Sequence, residues 1–467
     1  MSKERTIGTV REIAQLLGCD KYEEYGRDQI SSVVTDSRAV VPGALFFAIR
    51  GERTDGHLYL TDILKKEGSI AIVEKGHKAL KELDKYSTRL IPVENVLDAM
   101  HQLARWYRKK FNIPVVAVTG SSGKTTTKDM VRDVLSQSFK VKANHGSFNN
   151  ELGLPLTILG LAPEHQVLVL EMGMRGLGQI EKLCDIALPT IGIITNIGLT
   201  HMELLKTQEN IFRAKTELLL SIPQDGICIL NGTDQWTNKA KTKCNGQVLT
   251  YGFSESDSIQ AKNILQEGTS TIFDVTYQSQ SHQCRLPLLG KHNVLDALSA
   301  ILVGLKMGMS LDVCVHGIEN LKLSDKRLSY QKGVGNSQII NDCYNANPDS
   351  MSASLGILEM HPGRKIAVLA DMRELGEIEQ EEHRKIGRMA AQKGVALLVG
   401  VGPLAKYIVE GANDYKPGMA IHCINNDEAA EYLLTQLKLG DTVLVKGSRS
   451  MKLEEIIDKI VNEDNNE

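Results

Sequence analysis

One stretch constrains this chain more than any other: Val115-Val116-Ala117-Val118-Thr119-Gly120-Ser121-Ser122-Gly123-Lys124-Thr125-Thr126. The apolar run after Pro114 reads as a short strand buried on both faces. Beyond the glycines, Met130, Val131, Val134 and Leu135 recur at helical spacing. A strand therefore feeds a helix through a glycine-rich turn, where free backbone N–H groups and the helix dipole favour an anion. Gly120 and Gly123 let the backbone curl round phosphate oxygens with no Cβ in the way. Lys124 has the reach for the outer phosphates, and the Thr125 hydroxyl suits Mg²⁺. Val118 stands where the usual phosphate-loop spacing has a further glycine, so the motif is a shorter variant. A chance glycine turn is the alternative, and the strand before it and Gly-Lys-Thr-Thr after it speak against that.

Composition bounds the rest. A chain of 467 residues is too long for one core and suggests several domains. Hydrophobic residues at 42% and charged residues at 24% are ordinary for a soluble globular protein. A net charge of −3 and the lack of a basic stripe interleaved with aromatics argue against nucleic acid or an anionic membrane as main partner. No apolar signal core follows the first residues, and no run is long enough to span a bilayer. The eight cysteines are scattered without a Cys-x-x-Cys pair, so reduced thiols and a cytoplasmic location are expected. His282-x-Cys284 is only a weak metal pair.

The chain reads as α/β in three domains: 1–110, 111–322 and 323–467. In the first, a helix over Val10–Leu17 with Thr9 as N-cap precedes strands at Val33–Val34, Ala44–Ile49 and Ser69–Val73, and a helix at Ala99–Tyr107 closes it. The second alternates strands and helices, with strands at Val115–Val118, Val141–Ala143, Val167–Leu170, Ile191–Thr195 and Ile227–Leu230. That pattern predicts a mainly parallel sheet with helices on both faces. The third places strands at Gln338–Ile340, Ile366–Ala370, Ala396–Val399 and Thr442–Val445, and helices at Glu381–Gln392 and Asp427–Leu437.

Ligands in such folds sit at the carboxyl ends of strands. Glu171 follows Val-Leu-Val-Leu directly, Asn196 follows another strand, His201 comes soon after, and Lys215 lies on the next helix. A carboxylate and an imidazole beside a phosphate loop can complete an Mg²⁺ site. Each has a plainer reading: a helix-start charge, a packing histidine, a solvated lysine. The amide-rich run Asn144 to Gly153 suggests a binding loop. Asn293 near a helix start is either a ligand contact or a cap. Asp36-Ser37-Arg38 either binds an anion or forms an ordinary turn. The run Asp342 to Met351 is a polar turn between a strand and a helix.

Taken in order, these motifs resemble the Mur ligases of bacterial cell-wall synthesis, over nearly the whole chain. Asp36-Ser37-Arg38 with Pro42-Gly43-Ala44-Leu45-Phe46-Phe47-Ala48 looks like the family's uridine-nucleotide-binding start. Thr119-Gly120-x-x-Gly123-Lys124-Thr125 is similar to its ATP loop. Glu171-Met172-Gly173, Thr195-Asn196-Ile197-Gly198 with His201, Ala214-Lys215 and His292-Asn293 match its middle domain. Asn149-Asn150-Glu151-Leu152-Gly153, Asp342-x-Tyr344-Asn345-Ala346-Asn347-Pro348 and Asp371-Met372-x-Glu374-Leu375-Gly376 resemble the branch that adds D-alanyl-D-alanine to UDP-N-acetylmuramoyl-tripeptide. Gly400-Val401-Gly402-Pro403 stands where the sister that adds the third residue has Asp-Asn-Pro-Arg.

The resemblance implies a three-domain fold: a small α/β N-terminal domain, a P-loop central ATPase domain with a mainly parallel sheet, and a Rossmann-like C-terminal domain. It implies ATP and Mg²⁺ as cofactors and an acyl-phosphate route. By similarity Thr119, Gly120, Ser121, Ser122, Gly123, Lys124, Thr125 and Thr126 bind ATP, with Asn293, Arg327, Asp342 and Tyr344. Thr125, Glu171, His201 and a carbamylated Lys215 hold metal. Lys124, Lys215, His201 and Arg327 carry catalysis. Ser37 and Arg38 take the UDP end, and Asn149, Asn150, Asn345 and Asn347 the remaining substrate. Neither nucleic acid nor membrane insertion is expected, and the chain is expected to act as a monomer. A non-catalytic ATP switch is the competing class, and it has no use for Glu171, His201 and Lys215 as a set.

Overall fold

The computed structural model describes residues 5–19, 22–51, 54–146, 148–322 and 328–461. Arg327 lies outside the described residues, and so does the polar tail 462–467.

The chain opens with a ribbon of β1 (Gly8–Thr9) and β2 (Gln29–Ile30), paired antiparallel. Between them runs the helix Val10–Leu16. It starts on a capping box: the Thr9 hydroxyl accepts from Glu12 N, and the Glu12 carboxylate accepts from Thr9 N at 2.7 Å. A four-stranded parallel sheet follows, with β3 (Ser32–Val34), β4 (Ala44–Phe47), β5 (Ile70–Glu74) and β6 (Leu90–Val93) in that order. Sequence patterning misses β6. It contains Pro92, which lacks an N–H, and it sits at the sheet edge, where proline is tolerated. The helix Val96–Arg108 joins this unit to the next: buried Arg108 donates to the carbonyls of Ala187, Phe111 and Ile113.

The second sheet has nine strands: β7 (Val115–Thr119), β8 (Val141–Ala143), β9 (Val167–Glu171), β10 (Ile191–Ile194), β11 (Ile227–Asn231), β12 (Gln247–Gly252), β13 (Ile259–Glu267), β14 (Ser270–Tyr277) and β15 (Gln280–Leu286). Its order is β15-β14-β13-β12-β11-β10-β7-β9-β8. Strands β7 to β13 pair in parallel, and β13, β14 and β15 run antiparallel. As the unbroken apolar run requires, β7 is buried on both faces. Val115 and Ala117 join one core cluster, and Val116 and Val118 join the other. The sheet continues beyond the five strands legible in the sequence, because β12 to β15 extend it, with Tyr251, Ile259, Phe273, Val275 and Cys284 packed into the core and many of the remaining side chains of β13 to β15 towards solvent. Cys284 on β15 is buried, whereas His282 pairs with Asp312 at 2.9 Å, so those two residues form no metal pair.

The third sheet has six strands: β16 (Ser329–Gly333), β17 (Ser337–Asn341), β18 (Lys365–Ala370), β19 (Leu397–Val401), β20 (Ala420–Cys423) and β21 (Thr442–Lys446), in the order β16-β17-β21-β18-β19-β20. Only β16 runs antiparallel to its neighbour. Among the described residues no helix is long and apolar enough to cross a membrane.

Candidate active site

A cavity of about 710 Å³ opens where the three units meet. It is lined by His101 of the first unit, the glycine turn, Asn149, Glu171, His201 and Lys215 of the second, and Asp342, Tyr344, Glu374 and Lys446 of the third.

The glycine turn sits at the carboxyl end of β7, between β9 and β10, and the helix Lys124–Leu135 leaves it. Two glycines are required here. A Cβ on Gly120 would overlap the Thr195 hydroxyl. Gly123 has φ +80, and a Cβ there would stand 2.9 Å from Asp296 Oδ1. No side chain caps the helix at Gly123, so its positive end stays open to the cavity. Not every amide of the loop faces that way. Ser121 N and Ser122 N donate to Asn196 Oδ1 at 3.2 and 2.9 Å, so Asn196 braces the turn from β10. Lys124 Nζ donates back to Gly120 O at 2.9 Å.

Glu171, the last residue of β9, is almost fully buried. Its Oε2 accepts from the Thr125 hydroxyl at 2.6 Å, and its Oε1 accepts from Asn149 Nδ2 at 2.6 Å. A buried carboxylate held by two neutral donors beside a phosphate loop is a hard-oxygen set that fits Mg²⁺. Lys215, on the helix Gln208–Leu220, is 2% exposed and has no carboxylate partner among the described residues. Burial first, and the charge of Lys124 second, pull its pKa well below the usual lysine value. An amine that is readily neutral is what carbamate formation needs. His201 lines the same cavity, but its Nδ1 is engaged by Glu374 Oε2 at 2.5 Å.

From the third unit, Asp342 Oδ2 accepts from Lys446 Nζ at 2.5 Å and from the Ser354 hydroxyl at 2.7 Å, and Lys446 also donates to Asn345 O. Tyr344, Asn345 and Asn347 line the cavity. Asn347 also caps the helix Pro348–Met360, as Asn150 braces the start of the helix Gly153–Leu159. Asn293 is not a cap: its Nδ2 donates to Leu289 O at 2.7 Å, and Gly290 holds the N-cap position. Next to it, burial drops the His292 pKa to about 4 and lifts that of Asp296 to about 8.

Three sequence candidates lie away from the cavity lining. Thr119 is buried beneath the loop, with its hydroxyl donated to Met172 O. Ser37 and Arg38 lie just past β3, and the 89%-exposed Arg38 side chain is paired with Asp36 at 2.7 Å. The turn leaves the Arg38 guanidinium at the surface, beside its own Asp36. Conversely, Lys446, Asp296 and Glu374 line the cavity without having been singled out as site residues. Lys446 ends a strand, a signal that sequence alone carries. Asp296 shows only as one acid on an otherwise apolar helix.

Among the described residues, Asp55, His57 and His77 form the one three-residue cluster of metal-type side chains. Its hydrogen bonds disqualify it. His57 Nε2 accepts from Glu74 N and His77 Nδ1 accepts from Ala79 N, so the other two ring nitrogens carry protons: His57 Nδ1 donates to Asp55 Oδ1 at 2.7 Å, and His77 Nε2 stands 3.2 Å from Asp55 Oδ2.

Known proteins decide the family. The profile described as Mur ligase middle domain matches residues 118–304, that described as Mur ligase, glutamate ligase domain matches 326–449, and that described as Mur ligase family, catalytic domain matches 29–108. The UDP-N-acetylmuramoyl-tripeptide--D-alanyl-D-alanine ligase of Bacillus subtilis is 34% identical over 97% of this chain and 98% of its own. The chain belongs to the Mur ligase family. A crystal structure of MurF from Acinetobacter baumannii superposes on this Mur ligase with a TM-score of 0.88 at 30% identity, covering 97% of this chain and 98% of that one. MurF ligase from Thermotoga maritima, solved in complex with ADP, gives 0.80 at 28% identity over 92% and 96% of the two chains. Within the family the chain therefore sides with the MurF branch.

Proposed function

We propose that this Mur ligase uses ATP to join D-alanyl-D-alanine to UDP-N-acetylmuramoyl-tripeptide, releasing ADP and phosphate. One observation carries the proposal: the phosphate loop, the Thr125–Glu171 pair, Lys215 and the Asp342–Asn347 turn face one cavity. Relatives that carry the activity in their names span nearly the whole chain, 97% of it in the Bacillus subtilis ligase.

The chemistry has to make a carboxylate electrophilic. A carboxylate oxygen of the tripeptide attacks the γ-phosphorus, the bond to the β-phosphate oxygen breaks, and ADP leaves. The dipeptide amine then attacks the acyl carbon. The tetrahedral intermediate expels inorganic phosphate, and the nitrogen gives up a proton. Lys124 swings from its own loop carbonyls to the β- and γ-phosphates, and the open start of the Lys124 helix faces the same charge. Thr125 and Glu171 would hold one Mg²⁺, and His201 with a carbamylated Lys215 would hold a second; the metal would supply charge neutralisation at the transferring phosphoryl group. Asn293, Asp342, Tyr344 and Arg327 position ATP. Asn149, Asn150, Asn345 and Asn347 position the peptide parts, and Ser37 and Arg38, outside the cavity lining, take the uridine diphosphate end.

Oxygen-18 in the terminal tripeptide carboxylate tests the route. The label is expected in the released phosphate, one atom per turnover. Turnover that leaves all of the label in the peptide overturns the acyl-phosphate step.

A further inference from the structure

His201 and Glu374 come from different units, the first shortly after β10 and the second shortly after β18. His201 Nδ1 lies 2.5 Å from Glu374 Oε2. An ionised carboxylate only accepts, so Nδ1 carries the ring proton and donates it, and in the neutral ring the lone pair falls on Nε2. The pair is braced. Glu203 N donates to Glu374 O at 3.1 Å, and Arg175 Nε stands 3.9 Å from the other carboxylate oxygen. Both residues hold left-handed backbones, His201 at φ 55 and Glu374 at φ 65. Residues with side chains adopt that region at a cost, and they stay there where the surroundings demand it.

The loop that carries His201 is also tied to the phosphate turn. Ser121 Oγ accepts from Gly198 N at 2.9 Å and from the Thr200 hydroxyl at 3.1 Å. Its opposite side meets the third unit a second time, because Gly198 packs so closely on the Asp349 carboxylate that a Cβ would overlap it. One short loop thus touches the nucleotide turn on one side and the six-stranded unit on the other.

We propose that Glu374 is a positioning residue: it fixes the tautomer and orientation of His201 so that Nε2 is offered to a divalent cation, and it does so only when the six-stranded unit is docked. Cation affinity is thereby coupled to domain docking. The inference rests on the nucleotide and metal reading of the cavity given above.

The test uses the full-length protein with Mn²⁺ as the probe and a non-hydrolysable ATP analogue, counting bound Mn²⁺ by electron paramagnetic resonance. Two Mn²⁺ are expected in the wild type. Glu374→Ala should weaken the second about tenfold or more, the range that outer-shell partners of metal ligands carry, and leave the first unchanged. Glu374 is 41% exposed, so the replacement should leave folding intact, checked by circular dichroism. Glu374→Gln keeps an oxygen that accepts from Nδ1–H and should restore most of the affinity. Since Glu374 acts through the imidazole, the double variant with His201→Ala should bind no more weakly than His201→Ala alone. A single Mn²⁺ in the wild type, wild-type affinity in Glu374→Ala, or additive losses in the double variant would overturn the proposal. Glu171→Gln separates the two layers of the argument. If it also binds Mn²⁺ normally, the metal reading of the cavity fails. If it loses Mn²⁺ while Glu374→Ala does not, only the role of Glu374 falls.

Discussion

The Thr125 hydroxyl donates a 2.6 Å hydrogen bond to Glu171, tying the first turn after the glycine loop to the end of the neighbouring strand. Both side chains are buried, and Asn149 holds the other carboxylate oxygen. A buried carboxylate held by neutral donors is costly for the fold, and in the proposed function that cost is offset by the cation it would hold. Glu171→Gln is therefore expected to leave the melting temperature unchanged or raise it, and to cut turnover roughly 10²-fold or more, the scale of losing one preorganised electrostatic contact. Thr125→Val should show the same turnover loss. Calorimetry with steady-state kinetics checks both. A Glu171→Gln protein that melts lower yet turns over normally would make the pair structural.

Lys215 sets stability against function in the same way. Its amine is buried with no acidic partner among the described residues, and its pKa lies well below the ordinary 10.5. The unfolded chain keeps that proton up to about pH 10.5, whereas the folded chain releases it lower. Folding stability from this site is thus greatest above 10.5 and is lost as the pH falls towards the folded value. Lys215→Met removes the penalty at neutral pH. It should raise the melting temperature and abolish ligase turnover, and stripping CO₂ from the buffer should slow the wild type alone. A variant that melts lower and stays active would contradict this.

His292 and Asp296 stand one turn apart and titrate in opposite senses. His292 falls from 6.5 to about 4 through burial, so the fold keeps it neutral. Its contribution is intact above 6.5 and is lost as the pH drops through about 4, an effect of about 3 kcal/mol. Asp296 rises from 3.8 to about 8 through burial, against the hydrogen bond from Thr127. Its contribution is full below 3.8 and is lost as the pH rises through about 8. Asp296→Asn should therefore stabilise the protein more at pH 8 than at pH 4, and His292→Gln should flatten the acid side. Urea midpoints at three pH values separate the two, and parallel curves for wild type and Asp296→Asn would refute the assignment.

The buried Asp55–His57–His77 cluster makes the opposite kind of prediction. Three of its four ring nitrogens are committed to hydrogen bonds and the fourth, His77 Nε2, stands 3.2 Å from Asp55 Oδ2, with the two rings stacked 4.0 Å apart. Added Zn²⁺ should not raise the melting temperature, and a chelator should not lower it. A saturable rise with Zn²⁺ that His77→Ala removes would show that the backbone hydrogen bonds yield to metal.

How far the sequence reaches can be judged from these residues. The β7 turn was legible because strand, glycines and helix start are contiguous. Glu171, Lys215 and Tyr344 were legible because they stand at strand ends or match family motifs. The margin β12 to β15 was not. Gln280-Ser281-His282-Gln283 on its edge strand is polar throughout, since only part of one face packs inward. The pairing of His201 with Glu374 joins residues far apart in sequence, and neither has local periodicity that points to the other. The commitment of the Ser121 and Ser122 amides to Asn196 depends on how β10 lies beside β7, which residue type alone does not reveal.

The most direct measurement is phosphate release from ATP and Mg²⁺ with UDP-N-acetylmuramoyl-tripeptide and D-alanyl-D-alanine, each omitted in turn, with the product mass determined. Tripeptides ending in lysine and in diaminopimelate are both supplied. Release that requires both substrates and yields a UDP-pentapeptide is the predicted result. Turnover only with the dipeptide precursor and a free third amino acid, or ATP binding with no turnover under any combination, would contradict it.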